Sequence, residues 1–374
     1  MAAFMIAAAH KSSGKTVIST GLSFALSAPD CRVQCFKKGP DYIDPMWLSA
    51  ASGAPCYNLD FNAMERRELV DLFASRSKGA GISLVEANKG LYDGVDLAGS
   101  DSNAQMAKLL ELPVVLVIDT NGITRGIAPL LLGYQGFDKE VNIAGVILNK
   151  VGGARHEAKL IAAVKEYTDI DVLGAVGRNS GLDIGERHLG LTTPGETGAL
   201  HETIARFGEI VGAGVDLEKL RGVAGACGFS EASEKTVFSR KTDVRIGVVR
   251  DKAFGFYYAD DLEAFGAAGA EIVEIDAIND RHLPQLDGLF IGGGFPEMAA
   301  AELAANVDLR ARLKSAIQGG LPTYAECGGL MYLCKSLDFE NQTYPMVGVI
   351  DAEAVMHKRP QGRGYVSFSD NNLH

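Results

Sequence analysis

Paired cysteines at metal-binding spacing are missing from this 374-residue chain: its six cysteines, Cys31, Cys35, Cys56, Cys227, Cys327 and Cys334, include no CxxC. That excludes a zinc ribbon, and a chain this long needs no disulfide framework to hold a core, so a reduced, cytoplasmic setting is expected. Positive charge is scarce as well. Lys plus Arg number 36 against 47 Asp plus Glu, a formal net charge of −11, and no basic arm or stripe occurs, which excludes a nucleic-acid partner. The apolar run Ala2–Ala9 lacks a basic flank and meets Lys11 almost at once. No uninterrupted apolar stretch reaches about 18 residues, so neither a signal peptide nor a membrane span is expected. Only 12 prolines stand beside 44 glycines in a composition 47% hydrophobic and 22% charged. Disorder, collagen and coiled coil are excluded, and an α/β enzyme rich in tight strand-to-helix turns is indicated.

Short apolar runs at Phe4–Ala8, Val33–Phe36, Ile82–Glu86, Val114–Ile118, Ile143–Leu148 and Val172–Val176 alternate with helical patterns. Near-continuous apolar character of this kind marks strands buried on both faces of a parallel sheet. A polar stretch, Ser230–Asp243, breaks the rhythm. It restarts at Val244–Val249, Ile272–Ile275, Gly288–Ile291, Leu321–Tyr324 and Val347–Ile350. Two domains are therefore predicted, 1–229 and 244–374, joined by a linker over 230–243.

Directly after the first strand comes Ala9-His10-Lys11-Ser12-Ser13-Gly14-Lys15-Thr16, then a helical run Val17–Leu26. This is a Walker A pattern with Ala9 in place of the first glycine. Such a loop wraps backbone N–H groups around phosphate oxygens, offers a lysine to the outer phosphates and a hydroxyl to Mg²⁺, and places a helix N-terminus at the anion. Ser12, Ser13, Gly14, Lys15 and Thr16 supply these parts, so ATP and Mg²⁺ are the expected cofactors. Ligands of open α/β sheets sit at the carboxyl ends of the strands, where Glu86, Asp119 and Asn149 fall. Glu86 is a candidate metal holder and Asn149 a candidate reader of the adenine edge, whereas a strand-end Asp or Asn is also a common cap or turn residue.

Two polar clusters follow strand ends: Lys37-Lys38-Gly39-Pro40-Asp41-Tyr42-Ile43-Asp44-Pro45 and Gly90-Leu91-Tyr92-Asp93-Gly94. The first suits an anionic substrate with a metal-bound phosphate; as pattern alone, either is also an ordinary turn.

In the second half, Leu321–Leu330 (LPTYAECGGL) sets Cys327 between an apolar strand and a helical run. This reads as a nucleophile elbow, whose turn exposes the sulfur, whose next N–H faces an oxyanion, and whose helix N-terminus favours a thiolate. Gly293 and Gly294, after the strand ending at Ile291, join Gly328 as oxyanion-hole candidates.

These motifs together resemble one family, the cobyrinic acid a,c-diamide synthases, which are glutamine-dependent amidases of tetrapyrrole carboxylates. The resemblance runs through SSGKT, KGPDYIDP, GLYDG, AKLL, PVVLVID, GYQGFD, IAGVILNKV, GERHLGL (185–191), IGGGFPE and YAECGGLMYL, and so covers essentially the whole chain. It implies a P-loop domain of dethiobiotin synthetase type followed by a class I glutamine amidotransferase-like α/β domain. It also implies activation of a ring carboxylate by ATP as an acyl phosphate, and its displacement by ammonia from glutamine, first at one of the ring acetates a and c and then at the other. The roles carried over are catalysis for Lys15, Asp44, Asp93 and Cys327, substrate contacts for Lys38, Asp41, Tyr42, Asp44, Tyr92 and Asp93, and metal organisation for Thr16, Asp44 and Glu86. Small molecules, a tetrapyrrole polycarboxylate and glutamine, are then the partners, and a homodimer is compatible with the reading.

Two departures stand out. Where the family usually reads EGVMG, this chain has Glu86-Ala87-Asn88-Lys89-Gly90, and Lys38 replaces a commonly small apolar residue. Added cations near the substrate loops point to a modified ring preference, and a related branch amidating sirohydrochlorin or sirohaem is resembled equally well. The family's HEFH-type histidine motif is also absent, since neither His357 nor His374 matches it. A C-terminally truncated glutaminase domain is expected, with an ammonia-dependent degenerate domain as the alternative. A P-loop ATPase switch carrying an inactive glutaminase-like domain is a further alternative. Related switches carry a lysine five positions before the loop lysine, where this chain has His10.

Overall fold

The computed structural model describes residues 2–226 and 243–361, apart from 183, 185, 188, 189, 192, 194–198, 358 and 360. Most of the polar stretch 230–243, part of the 185–191 motif, and His188 and His374 lie outside the described residues. The chain divides into two units, the first centred on residues 1–236 and the second on the remainder.

The first unit is built from β1 (Ala2–Ala8), α1 (Lys15–Leu26), β2 (Val33–Lys38), α2 (Ile43–Ser52), β3 (Tyr57–Leu59), α3 (Arg66–Ser77), β4 (Ile82–Glu86), α4 (Asn103–Leu109), β5 (Val114–Asp119), α5 (Ile127–Phe137), β6 (Ile143–Val151), α6 (Ala154–Tyr167) and β7 (Val172–Gly177). Its main strands pair in parallel in the order β3-β2-β4-β1-β5-β6-β7, with Gly225–Ala226 added antiparallel beside β1. Alternation along β1 explains the continuous apolar runs. Ala3, Met5 and Ala7 enter one core while Phe4 and Ile6 enter the other, so every position is buried against helices on one face or the other.

The strand order crosses over at β1, which does not neighbour β2. Strand β1 lies between β4 and β5, so the loop leaving β1 emerges at the carboxyl edge beside the ends of both. Register completes the placement: Ile6 is level with Glu86, and Glu86 is level with Lys37 across β4 and β2.

The second unit carries a four-stranded parallel sheet in the order Glu271–Ile275, Arg245–Val249, Gly288–Ile291, Thr323–Ala325. Beside it is a three-stranded sheet of Gln342–Pro345, Cys334–Phe339 and Ile350–Val355. One expectation needs correcting. The strand expected over Val347–Ile350 begins only at Ile350, because Gly348 turns at φ 73° and the N–H groups of residues 346–349 bond back to the 332–335 segment. The helical run expected after Cys327 is present as Gly328–Leu333, and the buried Cys334 opens the strand that follows.

Candidate functional site

The loop between β1 and α1 holds its shape through two left-handed residues, Ser12 at φ 62° and Gly14 at φ 85°. A side chain at Gly14 would be strained at that φ, and its Cβ would lie 2.3 Å from Nδ2 of Asn149. Helix α1 starts at Lys15 with no side-chain cap, so its first-turn N–H groups face the loop's concavity as a basin of positive potential.

Around that basin the strand ends bring together one tight group of charges. The ammonium of Lys37, fully buried, donates to Asp44 and to Oε1 of Glu86 at 2.8 Å, and lies 3.7 Å from Asp41. Thr16 Oγ1 donates to the same Glu86 oxygen at 3.2 Å. Glu86 is itself fully buried; its Oε2 makes no well-formed hydrogen bond, although the Ser19 hydroxyl lies beside it. Burial pushes the Glu86 carboxyl up to about 7, with Lys37 opposing and Asp44 reinforcing the rise. Burial alone would discharge Lys37, but the charges of Asp44, Glu86 and Asp41 outweigh it and hold the ammonium well above its ordinary range. Asp44 is held below the usual carboxylate range because Lys37 overcomes its burial, whereas burial raises Asp41.

Lys15 reaches the same group. Burial and the neighbouring Lys37 lower it to about 8, against the opposing pull of Glu86, Asp44 and Asp93. A buried lysine beside a second lysine, with no full set of anionic partners of its own, is a site that an incoming phosphate would neutralise.

The other expected residues make the following contacts within the chain. Asp93 Oδ2 accepts the N–H of Gly90 and closes its own turn, while its charge still reaches Lys15. Asp41 Oδ1 accepts the N–H groups of Ile43 and Asp44, starting α2. The hydroxyl of Tyr92 donates to the backbone of Tyr134 and its ring packs on Tyr134 and Phe137, so its polar end is turned to α5. Lys38, on the opposite pleat from Lys37, is buried 4.0 Å from Asp101 and faces the ring of Phe61. Asn149, expected at an adenine edge, donates through Nδ2 to the Ser13 carbonyl at 2.9 Å and accepts the Lys150 N–H on Oδ1. Asp119 pairs with Lys150 at 2.8 Å and caps the Asn121 N–H.

In the second unit Cys327 stands at φ 49°, ψ −115°, a strained conformation that tips its sulfur off the strand at the head of the 328–333 helix. The backbone N–H groups of Gly328 and Gly294 both favour the thiolate form of the sulfur, so two of the three expected oxyanion-hole glycines act on it. Gly293 backs them: a Cβ added there would lie 3.3 Å from the Cβ of Cys327. Glycine is required at 329, where a Cβ would fall 2.2 Å from the Ile291 carbonyl. The expected thiolate bias is not found. Cys327 is exposed at the elbow, yet desolvation by the surrounding chain raises its thiol, Glu326 and Glu297 raise it further, and the N–H groups of Gly328 and Gly294 only partly offset this.

Two family models match the chain: a CobQ/CobB/MinD/ParA nucleotide binding domain over residues 4–191 and a CobB/CobQ-like glutamine amidotransferase domain over residues 245–373. Among curated proteins, the cobyrinate a,c-diamide synthase of Magnetococcus marinus is 41% identical over 97% of this chain and 79% of its own length. Those of Methanosarcina acetivorans and Caldanaerobacter subterraneus are 40% and 39% identical, over 94% and 97% of this chain and 76% and 80% of theirs. The chain belongs to the cobyrinate a,c-diamide synthase family. It is accordingly a carbon–nitrogen ligase of the glutamine amidotransferase kind, with a P-loop nucleotide-binding domain ahead of its amidotransferase domain. No helix among the described residues is long and apolar enough to cross a membrane.

Within this family member, sequence reasoning missed Lys37 as a site residue. Its signal was available only through the register that sets Lys37 level with Glu86.

Proposed function

We propose that this chain amidates peripheral carboxylates of a tetrapyrrole in two steps, ATP-driven activation of the acid and displacement by ammonia drawn from glutamine. The observation that carries the reading is the buried group of Lys15, Lys37, Thr16, Asp44 and Glu86 at the phosphate loop, present in one chain with the strained Cys327 elbow.

A carboxylate resists attack by ammonia because its leaving group would be oxide. One carboxylate oxygen therefore takes the γ-phosphoryl group, ADP leaves, and ammonia then expels phosphate from the acyl carbon to give the amide. Phosphoryl transfer depends on positioning and charge neutralisation more than on acid–base chemistry. The α1 N-terminus and Lys15 bind and neutralise the phosphates. Lys37, locked between Asp44 and Glu86, keeps a second positive charge at a fixed place beside them. Thr16, Asp44 and the under-used Glu86 Oε2 form a hard-oxygen set that fits Mg²⁺, directly or through water. An ion held there would supply charge neutralisation at the phosphates. Asp41 and Asp93 shape the edge where the ring acid enters. In the second unit Cys327 attacks the glutamine amide, and the N–H groups of Gly328 and Gly294 receive the oxyanion.

A second substrate reading has its own observation. Lys38 is a buried lysine near Asp101 whose ammonium is held below its ordinary pKa by burial first, with Lys89 adding like-charge repulsion against the opposing pull of Asp101 and Asp60. An additional ring carboxylate would relieve that repulsion, as sirohydrochlorin or sirohaem could provide. Hydrolysis of ATP assayed with cobyrinate, sirohydrochlorin and sirohaem tests both readings. At least one ring should stimulate ADP formation by about tenfold or more, as binding energy used at the reacting centre requires. A rate indifferent to all three would favour the ATPase switch instead.

A further inference from the structure

The phosphate loop is held by its carbonyl groups, one after another. The Ala9 carbonyl accepts Tyr134 Oη at 2.7 Å, that of His10 accepts Ser13 Oγ at 2.8 Å, and that of Lys11 takes Nδ1 of His10 at 2.6 Å. The Ser12 carbonyl accepts Lys150 Nζ at 3.0 Å, and the Ser13 carbonyl accepts Asn149 Nδ2 at 2.9 Å. Five consecutive carbonyls thus each receive a side-chain donor, and the next, on Gly14, takes the first helical N–H from Ile18. In a planar trans peptide the N–H points opposite to its carbonyl. Tying the oxygens therefore turns the N–H groups of residues 10–14 the other way, the arrangement an anion needs.

Three of the five donors come from outside the loop. Tyr134 lies on α5, while Asn149 and Lys150 end the regular part of β6. Lys150 takes a left-handed φ of 59°, and its ammonium also pairs with Asp119 at 2.8 Å. A non-glycine residue adopts that conformation at a cost, and here it lets two consecutive residues reach two consecutive carbonyls.

We infer that Tyr134 and Lys150 are positioning residues for the nucleotide: with Asn149 they tie back the loop carbonyls, so that the phosphate cradle is formed before ATP arrives. Neither need touch ATP. Their contribution is the ordering that the ligand would otherwise have to impose on the loop. The inference rests on the nucleotide-binding role proposed for this loop.

The test uses Tyr134→Phe and Lys150→Met in the 374-residue chain, with Lys150→Arg as the variant that keeps a donor. ATP affinity is measured by calorimetry, and amidation is measured with ammonium as the nitrogen source at varied ATP. Loss of one tie should raise Kd and KM for ATP by about three- to tenfold. It should leave kcat at saturating ATP within about twofold, since only ground-state ordering is lost. Lys150→Arg should restore most of the affinity. Unchanged ATP affinity in both variants, with normal binding by the parent chain, would overturn the inference alone. So would a fall in kcat with KM unmoved, which would put these residues in the chemical step. A parent chain that binds no ATP would overturn the nucleotide role and this inference together.

Discussion

Replacing Lys15 by alanine should lower kcat/KM for amidation by about 100- to 1,000-fold, the scale set by loss of one preorganised charge-stabilising donor. The loss should be equal with glutamine and with ammonium. Lys15 sits in the synthetase unit and serves the phosphates, so the source of nitrogen is irrelevant to its role. Its environment makes the effect large. The side chain is buried, desolvation and Lys37 hold its pKa near 8, and it is still mostly charged at neutral pH. Removing it leaves Lys37 as the remaining buried ammonium, and that charge is already committed to Asp44, Glu86 and Asp41. Initial rates with each nitrogen source, at saturating ring and varied ATP, make the comparison. Substantial ATP-dependent synthesis by Lys15→Ala with ammonium would remove the phosphate-loop assignment.

The second large effect separates the two halves of the chemistry. Cys327→Ala should lose glutamine-driven synthesis by at least about 1,000-fold, as removal of a covalent nucleophile does, and keep synthesis at high ammonium. The state of the thiol adds a pH signature in the parent chain. Desolvation, Glu326 and Glu297 all hold the sulfur in its protonated form, and only the N–H groups of Gly328 and Gly294 favour the thiolate. Below a raised pKa the thiolate fraction grows about tenfold per pH unit, so glutamate release should be slow at pH 7 and climb steeply toward pH 9. A fast, flat profile from pH 6.5 to 9 would mean that an imidazole already pairs with the sulfur. His357 would then be the residue to replace.

Much of this arrangement was legible in the residues because local chemistry dictates it. SSGKT after an apolar strand and before a helix leaves few alternatives to a phosphate loop, and ECGG between a strand and a helix leaves few to an elbow. Both sit where expected. Less legible were features decided by pleat and pairing. Lys37 and Lys38 are adjacent and chemically alike, and only the phase of β2 sends the first to Glu86 and the second to Asp101. Asn149 looked like a residue for a ligand, but the left-handed Lys150 beside it turns both toward the loop backbone. The thiol's raised pKa was hidden for another reason. A helix N-terminus can be read from sequence, whereas desolvation and the nearby Glu297 depend on packing.

The central claim is that a ring carboxylate is activated by phosphoryl transfer at the Lys15–Lys37–Glu86 site. Oxygen labelling tests it most directly. With cobyrinate carrying ¹⁸O in its acetate carboxylates, ATP, Mg²⁺ and ammonium, each amide formed should release one phosphate bearing one ¹⁸O atom, because the oxygen lost from the acid leaves with phosphorus. Amide formation accompanied by unlabelled phosphate would show that the acid is not activated as an acyl phosphate, and would contradict the account.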